Sequence, residues 1–241
     1  MIRQLDNEEH LMCLPDDILS GYIKGLYGAY GADQGFLRFY GDEHGGMIAV
    51  MDGTATVCCS ESSYEETAWF LNAQPDIRTV RTDRSFAQTI HGQALEIRSV
   101  MRCQPLPLST VDAVSVSPRD LYPFLAGVFP DFPPFEEWYL DVSYRTRHGF
   151  CRNCAIVTGG AVAASAMTVA EWETGAVIGA VATAAEHRRK GYASACVTAL
   201  IQQLQAEGKQ VLICPKNSAA QRLYESIGFA VCGELALIER N

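Results

Sequence analysis

The sequence predicts a protein of the α/β (α+β) class in which a mixed central sheet is flanked by helices. Strand-like and helix-like runs alternate through residues 110–241, and such alternation is typical of α/β architecture. Turn signals separate these runs: Gly159-Gly160 joins two strand-like segments, and Ser117-Pro118 begins a helix-like one. A less regular set of runs in residues 1–105 predicts a reduced α/β unit in front of the complete one.

Residues 110–241 predict the element order β-α-α-β-β-β-α-β-α-β. The first strand is expected over residues 111–116, where apolar and polar residues alternate. A helix follows to Val128, because Ser is a favourable N-cap and Pro suits the first turn. A turn is expected over 171–175. The remaining predicted helices are 135–147, 191–206 and 217–226, and the remaining strands are 151–157, 161–170, 176–183, 211–214 and 229–238.

In the N-terminal half, strands are expected over residues 36–40 and 47–59, and Asp52-Gly53 is a strong hairpin turn within the second run. A helix ending before Pro75 and extended runs over 77–81 and 94–102 complete this half. Two prolines in 104–110 indicate a linker. The predicted domains are therefore 1–105, a degenerate copy of the second unit, and 110–241.

Gly25, Gly28 and Gly31 recur at intervals of three residues, which could suggest a phosphate-binding loop. No strand-like run precedes them, and no Lys-Ser/Thr pair follows. We expect a loop or an interrupted helix there, without a ligand.

Charge and cysteine content exclude several classes of function. The net charge of −9 argues against broad nucleic-acid binding, and no apolar run is long enough to span a membrane. Nine irregularly spaced cysteines behind a polar, acidic start are typical of reduced thiols in a cytoplasmic protein. Cys151 and Cys154 lie three residues apart in a strand-like run, so they point to opposite faces. We expect no metal site.

A basic turn follows the strand-like run 176–183 and begins a helix-like run. Its residues are Arg188, Arg189, Lys190 and Gly191. Backbone N–H groups at a helix start are unpaired and carry partial positive charge, so this arrangement can bind an anion. Taken alone, the basic cluster 187–190 is more typical of a solvated turn.

Two motifs in this order resemble the GNAT superfamily of acetyl-CoA-dependent N-acyltransferases. Arg188-x-x-Gly191-x-Ala193 is similar to that family's pyrophosphate loop, Gln/Arg-x-x-Gly-x-Gly/Ala. The following segment 217–229, Asn-x-x-Ala-x-x-Leu-Tyr-Glu-x-x-Gly-Phe, is similar to its next helix and strand entry. The resemblance covers about 110–241. No such loop occurs in residues 1–105, so no cofactor is expected there.

The resemblance implies acetyl-CoA as cosubstrate and assigns residues to it. The backbone of Val181, Ala182 and Thr183 would pair with the pantetheine arm, and Asn217 would lie beside that arm, although a helix N-cap is the simpler interpretation of Asn217. The pyrophosphate would be held by backbone N–H groups and side chains of the loop and helix start. The residues at this loop are Arg188, Arg189, Lys190, Gly191, Tyr192, Ala193 and Ser194.

For catalysis, the resemblance implies that Tyr224 faces the thioester sulfur and protonates the departing thiolate. Its helical spacing alone indicates a core tyrosine. Glu171 and Glu173 are the first candidates for a base that deprotonates the amine, and Glu137 and Asp141 are the next. Trp138, Tyr139 and Trp172 are candidates either for the acceptor pocket or for ordinary packing.

The expected function is acetyl transfer to a primary amine of a small molecule or peptide, by direct attack in a ternary complex. A different acyl group, or a CoA-binding sensor or scaffold without catalysis, remains the alternative. The expected protein is a monomer or homodimer.

Overall fold

The computed structural model describes residues 1–5, 8–32, 34–90, 94–108 and 112–240. The chain packs into two compact units: Met1–Val100 with Cys232–Asn241 form the first, and Met101–Val231 form the second. Within the described residues, no helix is long and apolar enough to cross a bilayer.

The first unit is a mixed sheet with three helices. The sheet order is β1-β2-β3-β4-β5-β11, in which β4 and β5 are parallel and the other neighbours antiparallel. The strands are β1 (Arg3–Gln4), β2 (Leu37–Gly41), β3 (Met47–Met51), β4 (Thr54–Cys58), β5 (Thr79–Thr82) and the end of β11 (Phe229–Glu239), and the helices are α1 (Ile18–Tyr30), α2 (Tyr64–Asn72) and α3 (Arg84–Ala87).

The second unit repeats this pattern on a larger scale. Its sheet order is β7-β8-β9-β10-β6, in which β9 and β10 are parallel and the other neighbours antiparallel. Its strands are the end of β6 (Ala94–Cys103), β7 (Asn153–Thr158), β8 (Ala161–Trp172), β9 (Gly175–Thr183) and β10 (Gln210–Ile213), and its helices are α4 (Pro118–Val128), α5 (Phe135–Arg147), α6 (Tyr192–Ala206) and α7 (Ser218–Ile227).

Apolar side chains cover both faces of the second unit's sheet. A cluster that includes Ile178, Leu200 and Tyr224 packs beneath α6 and α7. A second cluster joins Leu121 and Leu125 of α4 and Val142 of α5 to Met167 and Ala182 of the sheet. This layering confirms the predicted α/β fold with a mixed sheet between helices.

The bounds of the two compact units differ from the predicted domains, 1–105 and 110–241. That these two segments fold as independent domains stays a prediction. Residues 236–239 of β11 pair with 79–82 of β5, so the end of the chain belongs to the first unit. Met101 and Arg102 of β6 pair with β10 in the second unit. Each unit therefore takes its closing antiparallel strand from the other half of the sequence.

Three local predictions were wrong: the strand over 111–116, the loop or interrupted helix at Gly25, Gly28 and Gly31, and the full extent of the turn over 171–175. Residue 111 lies outside the described residues, and over 112–116 only Val114 forms a bridge, to Ala155. The Asn153 side chain takes the place of further strand pairing, because its amide donates to Val116 O at 2.9 Å and accepts from Val116 N at 3.0 Å.

Of the three glycines that recur at intervals of three residues, Gly25 and Gly28 lie in a continuous helix, α1, rather than in a loop or an interrupted helix. Gly21 and Gly25 are buried in it, and Gly31 caps its end with φ +71°. Packing of α1 against the sheet overrides the low helix propensity of glycine. Strand β8 also runs past residue 170 to Trp172, so the predicted turn at 171–175 is shortened.

The closing strand gives a first prediction. Ile238 lies opposite Val80 and is 2% exposed, so Ile238→Ala should leave a cavity and lower the protein's free energy of unfolding by about 2–4 kcal/mol. Val231→Ala in the same strand, at a side chain that is 53% exposed, should change it by less than about 0.5 kcal/mol. Urea unfolding measures both. Equal effects of the two substitutions would contradict a packed role for the closing strand.

Candidate active site

Strand β9 loses its regular pairing halfway along. Its parallel pairing with β10 ends at Ile178. Its register with β8 shifts between Ser165 and Met167 and again between Thr168 and Ala170. Opposite these shifts, Ala180 has φ +46°, a left-handed conformation that costs a non-glycine residue of order 1–3 kcal/mol. The backbone from residue 179 to Thr183 therefore has an edge that β10 does not pair in the described structure.

The basic turn follows this open edge directly. Arg189 and Gly191 have φ of +63° and +81°, and α6 begins at Tyr192 with Gly191 as N-cap. The first turn of α6 contains no acidic residue and has no side-chain cap. Its N–H groups are thus presented outward with the positive end of the helix dipole, which is the arrangement that receives an anion.

Three exposed cations surround these N–H groups: Arg188, Arg189 and Lys190. Arg188 Nε lies 3.4 Å from Thr183 O, and this contact ties the turn to the end of β9. Lys190 Nζ lies 3.4 Å from His187 Nδ1, and the His187 ring stacks on Tyr192 at 6.0 Å. The structure thus brings the predicted loop residues and the end of β9 together.

Helix α7 supplies the next two predicted residues. Asn217 Oδ1 accepts a hydrogen bond of 2.9 Å from Ala220 N, so Asn217 is the N-cap of α7. Its side-chain NH₂ group is the part that can donate to a ligand. Tyr224 is 6% exposed, and Val181 and Tyr192 pack against the cluster that contains it. Burial raises the pKa of Tyr224 to about 12, so this phenol is protonated at neutral pH.

Glu171 is placed where it cannot serve the predicted site. It is 1% exposed and held by Arg152 and by Lys209, whose Nζ lies 2.7 Å from Oε1. It pairs with Ala176 at the beginning of β9, whereas Ala182 pairs with Ser165. Six residues along a strand separate these points by about 20 Å. We therefore assign Glu171 a structural role instead of the predicted catalytic one.

The other predicted carboxylates are no closer to a catalytic arrangement. Glu173 is exposed in the turn beyond Glu171, at the same far end of the β8–β9 hairpin. Asp141 is bound through both oxygens by Arg145 on the next turn of α5. Glu137 is exposed on α5. Trp172 is buried beside the turn that joins β8 to β9, and its Nε1 donates a hydrogen bond of 3.0 Å to Thr174 Oγ1. It therefore packs within the hairpin and does not line an acceptor pocket near Ala182.

Sequence reasoning missed the partners of Glu171 and the distortion of β9. Arg152 and Lys209 come from distant parts of the chain, and nothing in their spacing indicates a shared carboxylate. Glu207 joins the same group, and its hydrogen bond with Arg152 holds the pKa of this carboxyl below its usual value. The left-handed Ala180 has no sequence signal, because glycine is the residue normally found there. Among the described residues, no group of three or more His, Cys, Asp or Glu could hold a metal ion.

The structural role of Glu171 gives a second prediction. Glu171→Gln should leave Arg152 and Lys209 without their buried counter-charge and lower the free energy of unfolding by about 3–5 kcal/mol. Turnover should be kept while the protein is folded, because the residue lies far from the loop. Glu173→Gln is the matched exposed control and should change neither quantity. Calorimetry and steady-state kinetics measure both, and a large loss of turnover in a stable Glu171→Gln protein would restore the catalytic interpretation.

Comparison with known proteins agrees with this geometry. Residues 118–229 match the family model described as acetyltransferase (GNAT) family. No curated protein matches the chain significantly.

Solved structures resemble the chain over nearly its whole length. A GNAT-family acetyltransferase from Colwellia psychrerythraea has a TM-score of 0.63 at 13% identity and covers 100% of both chains. A GCN5-related N-acetyltransferase from Kribbella flavida has a TM-score of 0.57 at 16% identity, covering 92% of this chain and 95% of its own. A tandem GNAT protein from the clavulanic acid biosynthesis pathway has a TM-score of 0.63 at 13% identity, covering 99% and 98%. At these identities the likeness shows the fold. Together with the family match it confirms the predicted resemblance to the GNAT family, and the match to that family's acetyltransferase model extends over residues 118–229.

Proposed function

We propose that this protein transfers an acetyl group from acetyl-CoA to a primary amine, by direct attack of the amine in a ternary complex. The observation that carries the proposal is the open edge of β9 leading directly into an anion receptor at the first turn of α6. A long cosubstrate with an amide-containing arm followed by a charged pyrophosphate matches these two features in the order in which they occur along the chain. The arm finds the edge of β9 that β10 does not pair, and the pyrophosphate finds N–H groups and cations.

In this proposal the backbone of Val181, Ala182 and Thr183 pairs with the pantetheine arm, and the Asn217 amide lies beside it. The N–H groups from Arg189 to Ser194 hold the pyrophosphate, and the charges of Arg188, Arg189 and Lys190 strengthen that attraction. The side chain of Val181 packs in the same cluster as Tyr224, which supports a reacting end near Tyr224. The amine nitrogen bonds to the thioester carbon, the C–S bond breaks, and the sulfur takes the Tyr224 proton. The proton that the nitrogen loses passes to water, and water returns a proton to the Tyr224 phenolate.

The raised pKa of Tyr224 is compatible with this role. A phenol with a pKa of about 12 is a poor donor to a solvated thiolate, whose conjugate acid has a pKa near about 8.5–9. Burial, however, also raises thiol pKa values, and in this protein it raises those of Cys59 and Cys196 to about 12. A thiolate that departs into the same buried surroundings as Tyr224 is therefore of comparable basicity, and proton transfer between them is close to balanced.

We propose that the amine reacts as its free base without a dedicated carboxylate. Three of the four carboxylates predicted as bases, Glu171, Glu173 and Asp141, are not positioned to receive its proton. The fourth, Glu137, is exposed to water on α5 and makes no contact among the described residues that would fix it as a dedicated base. An alkyl amine with a pKa of about 10.4 then costs roughly 4–5 kcal/mol to deprotonate at pH 7. Turnover should accordingly rise with pH toward the pKa of the amine.

We propose that the first unit is a degenerate GNAT-like unit without a cofactor. Its β4, α2 and β5 repeat the parallel β9-α6-β10 arrangement. At the corresponding turn, however, it carries Glu61, Glu65 and Glu66 where the second unit carries three cations. Carboxylates at a helix start repel a pyrophosphate.

We also propose a cytoplasmic location, which the reduced thiols predicted from the sequence support.

The decisive experiment is a thiol-release assay with acetyl-CoA and a panel of amines that includes amino acids, polyamines, aminoglycosides, arylalkylamines and peptide N-termini. Amine-dependent thiol release, with the acetylated amine found by mass spectrometry, supports the proposal. Tight acetyl-CoA binding without release for any amine would instead favour a sensor or scaffold. Longer acyl-CoA donors in the same assay test whether the protein transfers acetyl or a different acyl group.

The anion receptor gives a third prediction. Gly191→Asp should weaken acetyl-CoA binding at least about 100-fold, because a carboxylate would crowd and repel the pyrophosphate. Gly149→Asp is a matched control: its φ of +80° equals that of Gly191 within a degree, and an added Cβ meets nothing within 4 Å at either position. Titration calorimetry on folded proteins compares them. Similar affinity losses in both variants would show that backbone strain, and not the loop, is responsible.

The proton donor gives a fourth prediction. Tyr224→Phe should lower turnover by roughly 100-fold or more while acetyl-CoA affinity stays the same, because the ring packing is kept and the proton is lost. Tyr144→Phe on α5 should leave turnover unchanged. Since the Tyr224 pKa is about 12, the wild-type rate should show no loss from phenol ionisation up to pH 10.

A merely structural Tyr224 predicts a different outcome. Tyr224→Phe would then lose about 1 kcal/mol of stability and keep normal turnover. Melting temperature, cofactor affinity and turnover are to be measured on one preparation at saturating amine. Normal turnover, with chemistry shown to be rate-limiting, removes Tyr224 from the mechanism.

A further inference from the structure

We propose that the amine acceptor is an arylalkylamine, bound through its apolar ring by the aromatic surface of α4 and α5. This inference rests on the proposed function and adds the class of substrate. The surface comprises six half-buried aromatic side chains: Tyr122, Phe129, Phe132, Phe135, Trp138 and Tyr139.

The first step is the position of this surface relative to β9. Successive residues of a strand point to opposite faces. Val181 accordingly packs with the α6 and α7 cluster that contains Tyr224, whereas Ala180 and Ala182 pack with α4 and α5. Phe132 and Trp138 pack against the same cluster as Ala180. The aromatic surface is thus continuous with the distorted part of β9 to which the proposal brings the thioester.

The second step is the character of the surface. Its rings contact one another at centroid distances from 5.0 Å, for Tyr122 and Phe135, to 6.0 Å, for Phe129 and Phe132. None of them is fully buried, and the neighbouring Leu140 is 68% exposed. A partly exposed group of this many rings on one pair of helices exceeds what packing requires, and such surfaces commonly bind ligands.

The third step is polarity. The Tyr122 hydroxyl already donates to Pro133 O at 3.0 Å, so this group is not a spare donor for a ligand. The Tyr139 hydroxyl and the Trp138 indole N–H are the other polar groups on these six side chains. A polyhydroxylated amine would therefore lose more hydrogen bonds to water than it could gain at this surface, which disfavours it. A flat apolar group gains ring contacts worth about 0.5–1.5 kcal/mol each beyond the buried area.

The fourth step is charge. The Arg119 guanidinium lies 5.5 Å from the centroid of the Tyr139 ring, so a cation already rests on one face of this aromatic surface. The exposed carboxylates Asp131, Glu136 and Glu137 border it and attract a protonated amine on approach. An apolar ring carrying an ammonium group is attracted by these carboxylates, and it packs on the rings away from Arg119, whose like charge repels the ammonium.

The test compares matched amines in the thiol-release assay on the full chain. Phenethylamine and tryptamine should show kcat/KM at least about tenfold above that of ethylamine, spermidine or kanamycin. Trp138→Leu should raise KM for phenethylamine about tenfold, with kcat within about twofold and with KM for acetyl-CoA and for ethylamine unchanged. Phe135→Leu provides a second, milder variant, and Tyr144→Leu, elsewhere on α5, should change none of these constants.

The outcomes separate this inference from the proposed function. Two results would overturn the aromatic acceptor while acetyl transfer stands. One is that kcat/KM is highest for spermidine or kanamycin. The other is that Trp138→Leu raises the KM for phenethylamine and the KM for ethylamine equally. Thiol release with no amine at all would remove the proposed function and this inference together. A folded Trp138→Leu protein, shown by unchanged acetyl-CoA affinity, is required for the comparison, and Phe135→Leu replaces it otherwise.

Discussion

Strand β9 pairs with β10 only as far as Ile178, and the rest of the site depends on this limit. The left-handed Ala180 and the two register shifts in β8 turn the second half of β9 out of the regular ladder. A strand edge without a partner is unfavourable in a protein interior, since its N–H and C=O groups require hydrogen bonds. In the proposed function, the amide groups of the pantetheine arm pair with this edge of β9. The first turn of α6 begins at Tyr192, nine residues after the end of β9, and in the same proposal it holds the pyrophosphate.

The two units show how charge decides the use of one scaffold. Both contain a parallel pair of strands joined through a helix, and both place that helix start beside the strand end. In the second unit the turn carries Arg188, Arg189 and Lys190, whereas α2 of the first unit begins with Glu65 and Glu66. The sign of these charges is opposite relative to the same helix dipole. In the proposed function, a similar strand–helix–strand arrangement therefore holds a pyrophosphate in the second unit and none in the first.

Elements with local signals were predictable from the sequence, and features that depend on distant partners were not. The basic turn, Asn217 as N-cap and the helix start at Ser117-Pro118 all follow from residues adjacent in the chain, and each lies where predicted. Glu171 was misjudged because Arg152 and Lys209 are remote in sequence. The exchange of closing strands was missed for the same reason: pairing of β11 with β5 joins residues far apart. The continuous helix α1 was not predicted because its glycines have low helix propensity, which packing of the helix against the sheet outweighs.

The alternation of side chains along β9 divides the proposed reaction between two faces of one sheet. Val181 lies with Tyr224 and Tyr192 on the face of α6 and α7, which carries the proposed proton donor and the proposed phosphate-binding turn. Ala180 and Ala182 lie on the face of α4 and α5, where the aromatic surface is found. Their side chains are small, so little side-chain bulk separates the strand backbone from that face. A strand with this pattern can hold the donor along its edge while the acceptor approaches from the other side. Donor and acceptor then meet at the distorted backbone without competing for the same surface.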